Sequence, residues 1–156
     1  MIAARHLFDG ATAMRDPKGG QPVEDQMHSA RHIAEALLAL TGKAMMADDF
    51  VAFHRHQVLP QPIETFEGRK MVTTPAQMQV VFASVRAHQK RLGVTRLERH
   101  CAEAKFVGRE NLEAVYTSYA YRNRTLIQQP YQSFAFLRLV GGAWKFAYCM
   151  YAVPGE

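Results

Sequence analysis

The sequence predicts an α+β domain in which three N-terminal helices pack on a curved antiparallel meander sheet, and three observations predict it. Apolar residues recur with helical spacing as far as Leu92. Beyond Gly93 the apolar period changes from about 3.6 to 2 and stays there through four segments rich in Tyr, Phe and Val. The connections at Gly108-Arg109-Glu110 and Gly141-Gly142 are too short for anything but antiparallel neighbours. A chain of 156 residues is long enough for one domain with a core of its own.

Residues 1 to about 24 contain Asp16-Pro17-Lys18-Gly19-Gly20 and no sustained periodicity, so they read as an arm preceding a single domain over 25–156. From Met27, Ala30, Ile33, Ala34, Leu37, Leu38 and Thr41 share one helix face, with Gly42 as the expected stop. A short helix over Ala47–His54 follows, its opening acids Asp48 and Asp49 suited to a helix N-terminus, and it ends before Pro60 and Pro62. Ile63 to Thr73 reads as a small hairpin or two short extended pieces turning at Gly68. Thr74-Pro75-Ala76-Gln77 then supplies an N-cap hydroxyl, a proline at the first helical position and a glutamine placed for a capping box. The helix it starts buries Met78, Val81, Phe82, Val85 and Leu92 and closes at Gly93.

Four strands are expected near residues 95–107, 112–123, 131–140 and 143–153. Registering the last hairpin about Gly141-Gly142 pairs Leu139 with Trp144, Leu137 with Phe146, Ala135 with Tyr148 and Ser133 with Met150 on one face. The other face then pairs Arg138 with Lys145, a poor core combination, so the Trp144 face is expected against the helices. Phe134, Phe136 and Tyr151 leave the opposite face apolar as well. A sheet apolar on both sides needs a second cover, and a homodimer through the outer face is the economical one.

Composition narrows the function classes. The net charge of +5 comes from 19 Lys+Arg against 14 Asp+Glu that are interleaved along the chain, a solvated pattern that gives no indication of nucleic-acid binding. No apolar run approaches the roughly 20 residues of a membrane span, and the N-terminus shows no signal-peptide pattern, so a cytoplasmic protein without a membrane partner is expected. Cys101 and Cys149 lack metal or redox spacing and read as buried free thiols. His54-Arg55-His56 and His28-x-x-x-His32 have no acid or thiol at a diagnostic distance, and no phosphate loop or flavin fingerprint appears; neither metal nor cofactor is expected.

Five pieces are spread in order over about residues 27 to 153: Ala47-Asp48-Asp49-Phe50, Gly68 followed by Thr74-Pro75, Leu92-Gly93-Val94, Phe136-Leu137-Arg138-Leu139 and Gly142-Ala143-Trp144-Lys145-Phe146. In their order and spacing they resemble the nuclear transport factor 2-like superfamily, and its SnoaL-like bacterial branch in particular. The resemblance implies a sheet wrapped on a long helix to form a cone open at one end into an apolar cavity. The family includes isomerases, dehydratases, polyketide cyclases and oxygenase small subunits, so the fold leaves the function open.

Carried back across the sheet, the same register turns His100, Ala102, Ala104 and Phe106, and Val115, Thr117, Tyr119 and Tyr121, toward the cone. His100, Tyr119 and Tyr121 are then the candidate catalytic groups: an imidazole that moves a proton, and phenols that donate to a developing enolate. Phe50, Phe53 and Phe82 from the helices and Ser133, Trp144, Tyr148 and Met150 from the sheet would line the pocket, with Asp49 and His54 at its mouth. Such a pocket suits a small apolar ligand and a cofactor-free isomerase, dehydratase or cyclase. The inward sheet face lacks the buried acid the family's catalysts often use as base. The bland alternative is that strand tyrosines and a lone histidine are packing groups. The rival functions are a non-catalytic dimeric interaction module, with aromatics filling the cone, and the small subunit of an oxygenase.

Overall fold

A computed structural model describes residues 23–65 and 68–151. The expected arm therefore lies outside the described residues. The first helix, α1, spans Val23–Met46, the short α2 spans Phe50–His54 and α3 spans Pro75–Arg91. The strands are β1 Gln61–Thr65, β2 Gly68–Val72, β3 Arg96–Phe106, β4 Asn111–Arg122, β5 Thr125–Leu126, β6 Tyr131–Val140 and β7 Ala143–Tyr151. They form one sheet in the order β2-β1-β7-β6-β4-β3, with β5 paired to β4. Every neighbour is antiparallel except β1 on β7. The meander is thus as expected, and the hairpin of β1 and β2 extends it through that one parallel pair.

Gly42 does not end α1. The helix runs past it to Met46, and the chain leaves through Asp48 in the left-handed region at φ 54°. The reason is tertiary: a Cβ at Gly42 would stand 3.4 Å from Arg99 Nη2, so the glycine makes room for a guanidinium that binds the same helix. Arg99 Nη2 donates to the Leu38 carbonyl and to Thr41 Oγ1, both at 2.6 Å. Packing of this kind offsets the roughly 1 kcal/mol that glycine costs inside a helix.

The start of α3 follows the local chemistry. Thr74 Oγ1 accepts from the Gln77 N–H at 3.2 Å, and Gln77 Oε1 reaches back to the Thr73 N–H at 2.7 Å, one residue before the cap. Met78, Val81, Phe82 and Val85 are buried as the helical stripe requires. Arg86, on the face expected to be solvated, is buried too. Its Nε donates to Asp48 at 2.9 Å, tying α3 to the end of α1.

Two bulges decide which face each strand residue occupies. In β3 the pairing steps from Cys101 opposite Tyr116 to Glu103 opposite Val115, so Ala102 is the extra residue. The backbone groups there are met by α1: Glu35 Oε1 accepts from the Cys101 N–H at 2.7 Å, and Arg31 Nη2 donates to the Ala102 carbonyl at 3.0 Å. In β7 the pairing steps from Phe146 opposite Leu137 to Tyr148 opposite Phe136, leaving Ala147 extra. The helix-side face accordingly carries Arg99, Cys101 and Ala104 from β3, Leu112, Ala114, Tyr116 and Ser118 from β4, Ser133, Ala135 and Leu137 from β6, and Phe146 and Cys149 from β7.

Candidate functional site

On the hairpin of β6 and β7 the expected register holds for Leu139 with Trp144 and Leu137 with Phe146. Past the bulge it fails: Ala135 pairs with Cys149, and Tyr148 turns to the outer face. There its ring lies 6.4 Å from Phe134 and 6.2 Å from Phe136, with the Arg69 guanidinium 5.9 Å above it. Crossing from β3 to β4 introduces a second error. Ala104 pairs with Ala114 rather than sharing a face with Val115, which moves every β4 side chain in that reading to the opposite side.

The proposed catalytic group is the main casualty. His100, Tyr119 and Tyr121 stand on the outer face. Their register partners there are Thr117 for His100, Glu98 for Tyr119 and Arg96 for Tyr121. The His100 and Tyr119 rings meet edge-on at 5.8 Å, His100 Nε2 is 3.6 Å from Glu98, and the Arg96 guanidinium covers Tyr121 at 4.2 Å. The His100 side chain is 61% exposed, which suits a solvated surface group and not the heart of a pocket.

The other candidates divide. Phe50, Phe53 and Phe82 do come together, with Phe82 5.6 Å from Phe50 and 5.0 Å from Phe53, but as the solid contact that packs α2 on α3. His54 stacks on Phe50 at 5.2 Å, and its buried Nδ1 has no hydrogen-bond partner among the described residues. Asp49 is spent as an N-cap, its Oδ1 accepting from the Ala52 N–H at 3.0 Å. Trp144 leans on Phe106 at 5.8 Å and helps close the core. Ser133 faces the helices as expected, buried and with no partner for its hydroxyl among the described residues.

A cavity of about 30 Å³ lies between helices and sheet. Its polar lining is Gln89 from α3, Arg99, Tyr116, Ser118 and Tyr131, and Met150 is the one sheet candidate for ligand contact that reaches it. The apolar lining is Met45, Val85 and Leu97. The Tyr116 hydroxyl donates to the Met150 carbonyl at 3.1 Å and lies 3.4 Å from Cys149 Sγ. Burial pushes the Tyr116 and Tyr131 phenols up, a trend that Ser118 and Arg99 oppose at Tyr131, so both are neutral hydrogen-bond donors near pH 7. Among the described residues no carboxylate and no imidazole lines this space.

Arg99, Tyr116, Ser118 and Tyr131 escape the sequence reading because a period-2 pattern gives only relative positions along a strand. The signal that could have found them is the mixed strand Arg96-Leu97-Glu98-Arg99-His100-Cys101, where Leu97 and Cys101 share Arg99's face. Among the described residues no group of three or more His, Cys, Asp or Glu is arranged to hold a metal ion.

A second depression lies on the other side of the sheet. About 640 Å³ in volume, it is walled by Pro60, Pro62, Phe134, Phe136 and Tyr148 and bordered by Arg69 and Arg138. Phe134 and Phe136 cross edge-to-face at 5.0 Å, and Phe136 remains 37% exposed.

No protein-family model and no curated protein matches this sequence. Solved structures do match its architecture. An NTF2-like protein with a cystatin-like fold from Novosphingobium aromaticivorans superposes with a TM-score of 0.61 at 14% identity, covering 90% of this chain and 91% of that one. The chain has the nuclear transport factor 2-like fold. Other NTF2-like neighbours span the same cone: a ketosteroid isomerase-like protein from Erwinia carotovora atroseptica at TM-score 0.60 and 16% identity, covering 81% and 97%, and a protein of unknown function from Shewanella oneidensis at 0.58 and 11%, covering 78% and 98%. At such identities the shared property is the NTF2-like fold. No helix among the described residues is long and apolar enough to cross a membrane.

Proposed function

We infer that this NTF2-like chain is a homodimeric interaction module whose working surface is the outer face of the sheet. The observation that carries this reading is the aromatic depression of about 640 Å³ on the far side of the sheet, beside an inner cavity of about 30 Å³. Phe106, Trp144 and Phe146 pack in the core between sheet and helices, and Met150 borders the inner cavity. An isologous pair, each copy laying its patch on the other, covers Phe134, Phe136 and Tyr148 of both chains in a single contact.

The name of the ketosteroid isomerase-like neighbour suggests proton-transfer catalysis on a carbonyl compound. Against that reading, the inner cavity has neutral phenols that could polarise a carbonyl but lacks the acid or imidazole to take the proton.

Size-exclusion chromatography with light scattering tests the module. The wild type is expected to have twice its chain mass at micromolar concentration, and Phe136→Glu to be a monomer with unchanged far-ultraviolet circular dichroism. A monomeric wild type overturns the reading, as does a Phe136→Glu protein that stays dimeric.

A further inference from the structure

The outer face is divided by charge as well as crowded with rings. On its β6 and β7 half, Arg138 and Lys145 stand directly opposite each other in the register, and neither strand contains an Asp or a Glu. On the β3 and β4 half stand two half-buried acids, Glu103 opposite Val115 and Glu113 opposite Phe136. Oε2 of each glutamate is buried and has no hydrogen-bond partner among the described residues, although Lys105 is the register neighbour of Glu113. Val115 between them is only 5% exposed, yet it stands outside the cluster that packs on the helices. Two other ion pairs of this face are closed within the chain, Arg69 with Glu64 at 2.8 Å and Arg96 with Glu98 at 3.0 Å.

A carboxylate oxygen buried without a donor is costly, and a cation brought by a second chain relieves it. Apolar area says that the face is covered, whereas charges select the alignment of the cover. Two faces that pair isologously have their two-fold axis in the plane between them. An axis across the strands lays each half on the same half of the other copy, so that cations meet cations and acids meet acids. An axis along the strands, between β4 and β6, exchanges the halves and lays β6 and β7 of one copy over β4 and β3 of the other. Phe134 and Phe136 then cover the partner subunit's Val115, the ring next to the Arg138 cation.

We propose that the homodimer has its two-fold axis along the strands between β4 and β6, with Arg138 of each copy, backed by Lys145, on the partner subunit's Glu113 and Glu103. The inference rests on the interaction reading and deepens it, by naming the partner as a second copy in one alignment and the charges that choose it.

Charge exchange tests the alignment. Arg138→Glu and Glu113→Lys are purified separately as full chains, then mixed, with mass read by light scattering and affinity by analytical ultracentrifugation. Each variant alone sets like charges at both contacts and is expected to self-associate at least tenfold more weakly than the wild type. In the mixture one contact has its charges exchanged and the other keeps the native Arg138 with Glu113, so a one-to-one heterodimer of near wild-type affinity is expected. A variant that self-associates as tightly as the wild type, or a mixture that forms no heterodimer, overturns the alignment; a dimeric wild type with a monomeric Phe136→Glu protein would still uphold the outer-face pairing. A monomeric wild type overturns both. If circular dichroism shows that Glu113→Lys does not fold, Glu103→Lys takes its place in the mixture with the same expectations.

Discussion

On the helix side of the sheet Leu112, Leu137, Phe146 and Cys149 are sealed in the core, whereas on the far side Phe134, Phe136 and Tyr148 form a cluster of the same chemistry that stays partly in water. Hydrophobicity does not distinguish the two faces. The groups that bind the helices do. Arg31 and Glu35 clasp the β3 bulge, and Arg99 reaches α1 from the strand, so α1 is fastened to one face by directed bonds as well as by burial. The opposite face has rings and two arginines but no cover among the described residues. Apolar patterning thus says that a surface wants covering, and the polar anchors say which cover it has.

That comparison can be broken most directly by truncating one ring on each face. Phe146→Ala is expected to cost about 3–5 kcal/mol in urea denaturation, the range for a large buried side chain. Phe136→Ala, read under conditions where the chain is monomeric, should cost less than about 1 kcal/mol. Equal losses would mean that the outer cluster is a second core.

Thiol chemistry offers a sharper version one residue apart. Cys101 faces the helices, and burial pushes its pKa up to about 11 from an ordinary 9.0, whereas its neighbour Ala102 is exposed on the bulge. At pH 8 the thiolate fraction of Cys101 is then about a hundredfold below that of an ordinary cysteine, so an Ala102→Cys thiol should alkylate at least that much faster than Cys101. The sign for stability follows. Between about pH 9 and 11 the unfolded thiol has lost its proton while the folded one keeps it, so the Cys101 contribution falls as pH rises through that window. A Cys101→Ser protein should show a smaller loss there. Comparable labelling rates at the two positions would place Cys101 outside the core.

The smallest effect concerns the outer face alone. His100→Ala should change stability by no more than about 0.5 kcal/mol in urea denaturation, as suits an exposed side chain. A loss of several kcal/mol would place His100 on the inward face that the period-2 reading assigns it.

Much of the fold was legible in the chain. The Thr74-Pro75 start of α3, the turn at Gly141-Gly142 and the order of helices and strands all follow from short-range chemistry, which acts within a few residues and is written in consecutive letters. The site was less legible. Ser133 was placed on the correct face because Arg138 and Lys145 marked the solvent side of its hairpin, while Arg99, Tyr116 and Tyr131 went unnoticed. Strand alternation defines two faces but does not label them, and an extra residue at Ala102 or Ala147 exchanges them part-way along a strand.

The sequence by itself determined the α+β class, the meander, the capped helix and the presence of apolar residues on both sides of the sheet. Only the tertiary structure decided that α1 continues through Gly42, that His100, Tyr119, Tyr121 and Tyr148 face outward, and that Arg99, Tyr116, Ser118 and Tyr131 meet at a small cavity. The physical reason is range. Caps, turns and periodicity are settled by neighbours in the chain, whereas a bulge is stabilised by α1 side chains such as Glu35, some 66 residues from the Cys101 amide they satisfy.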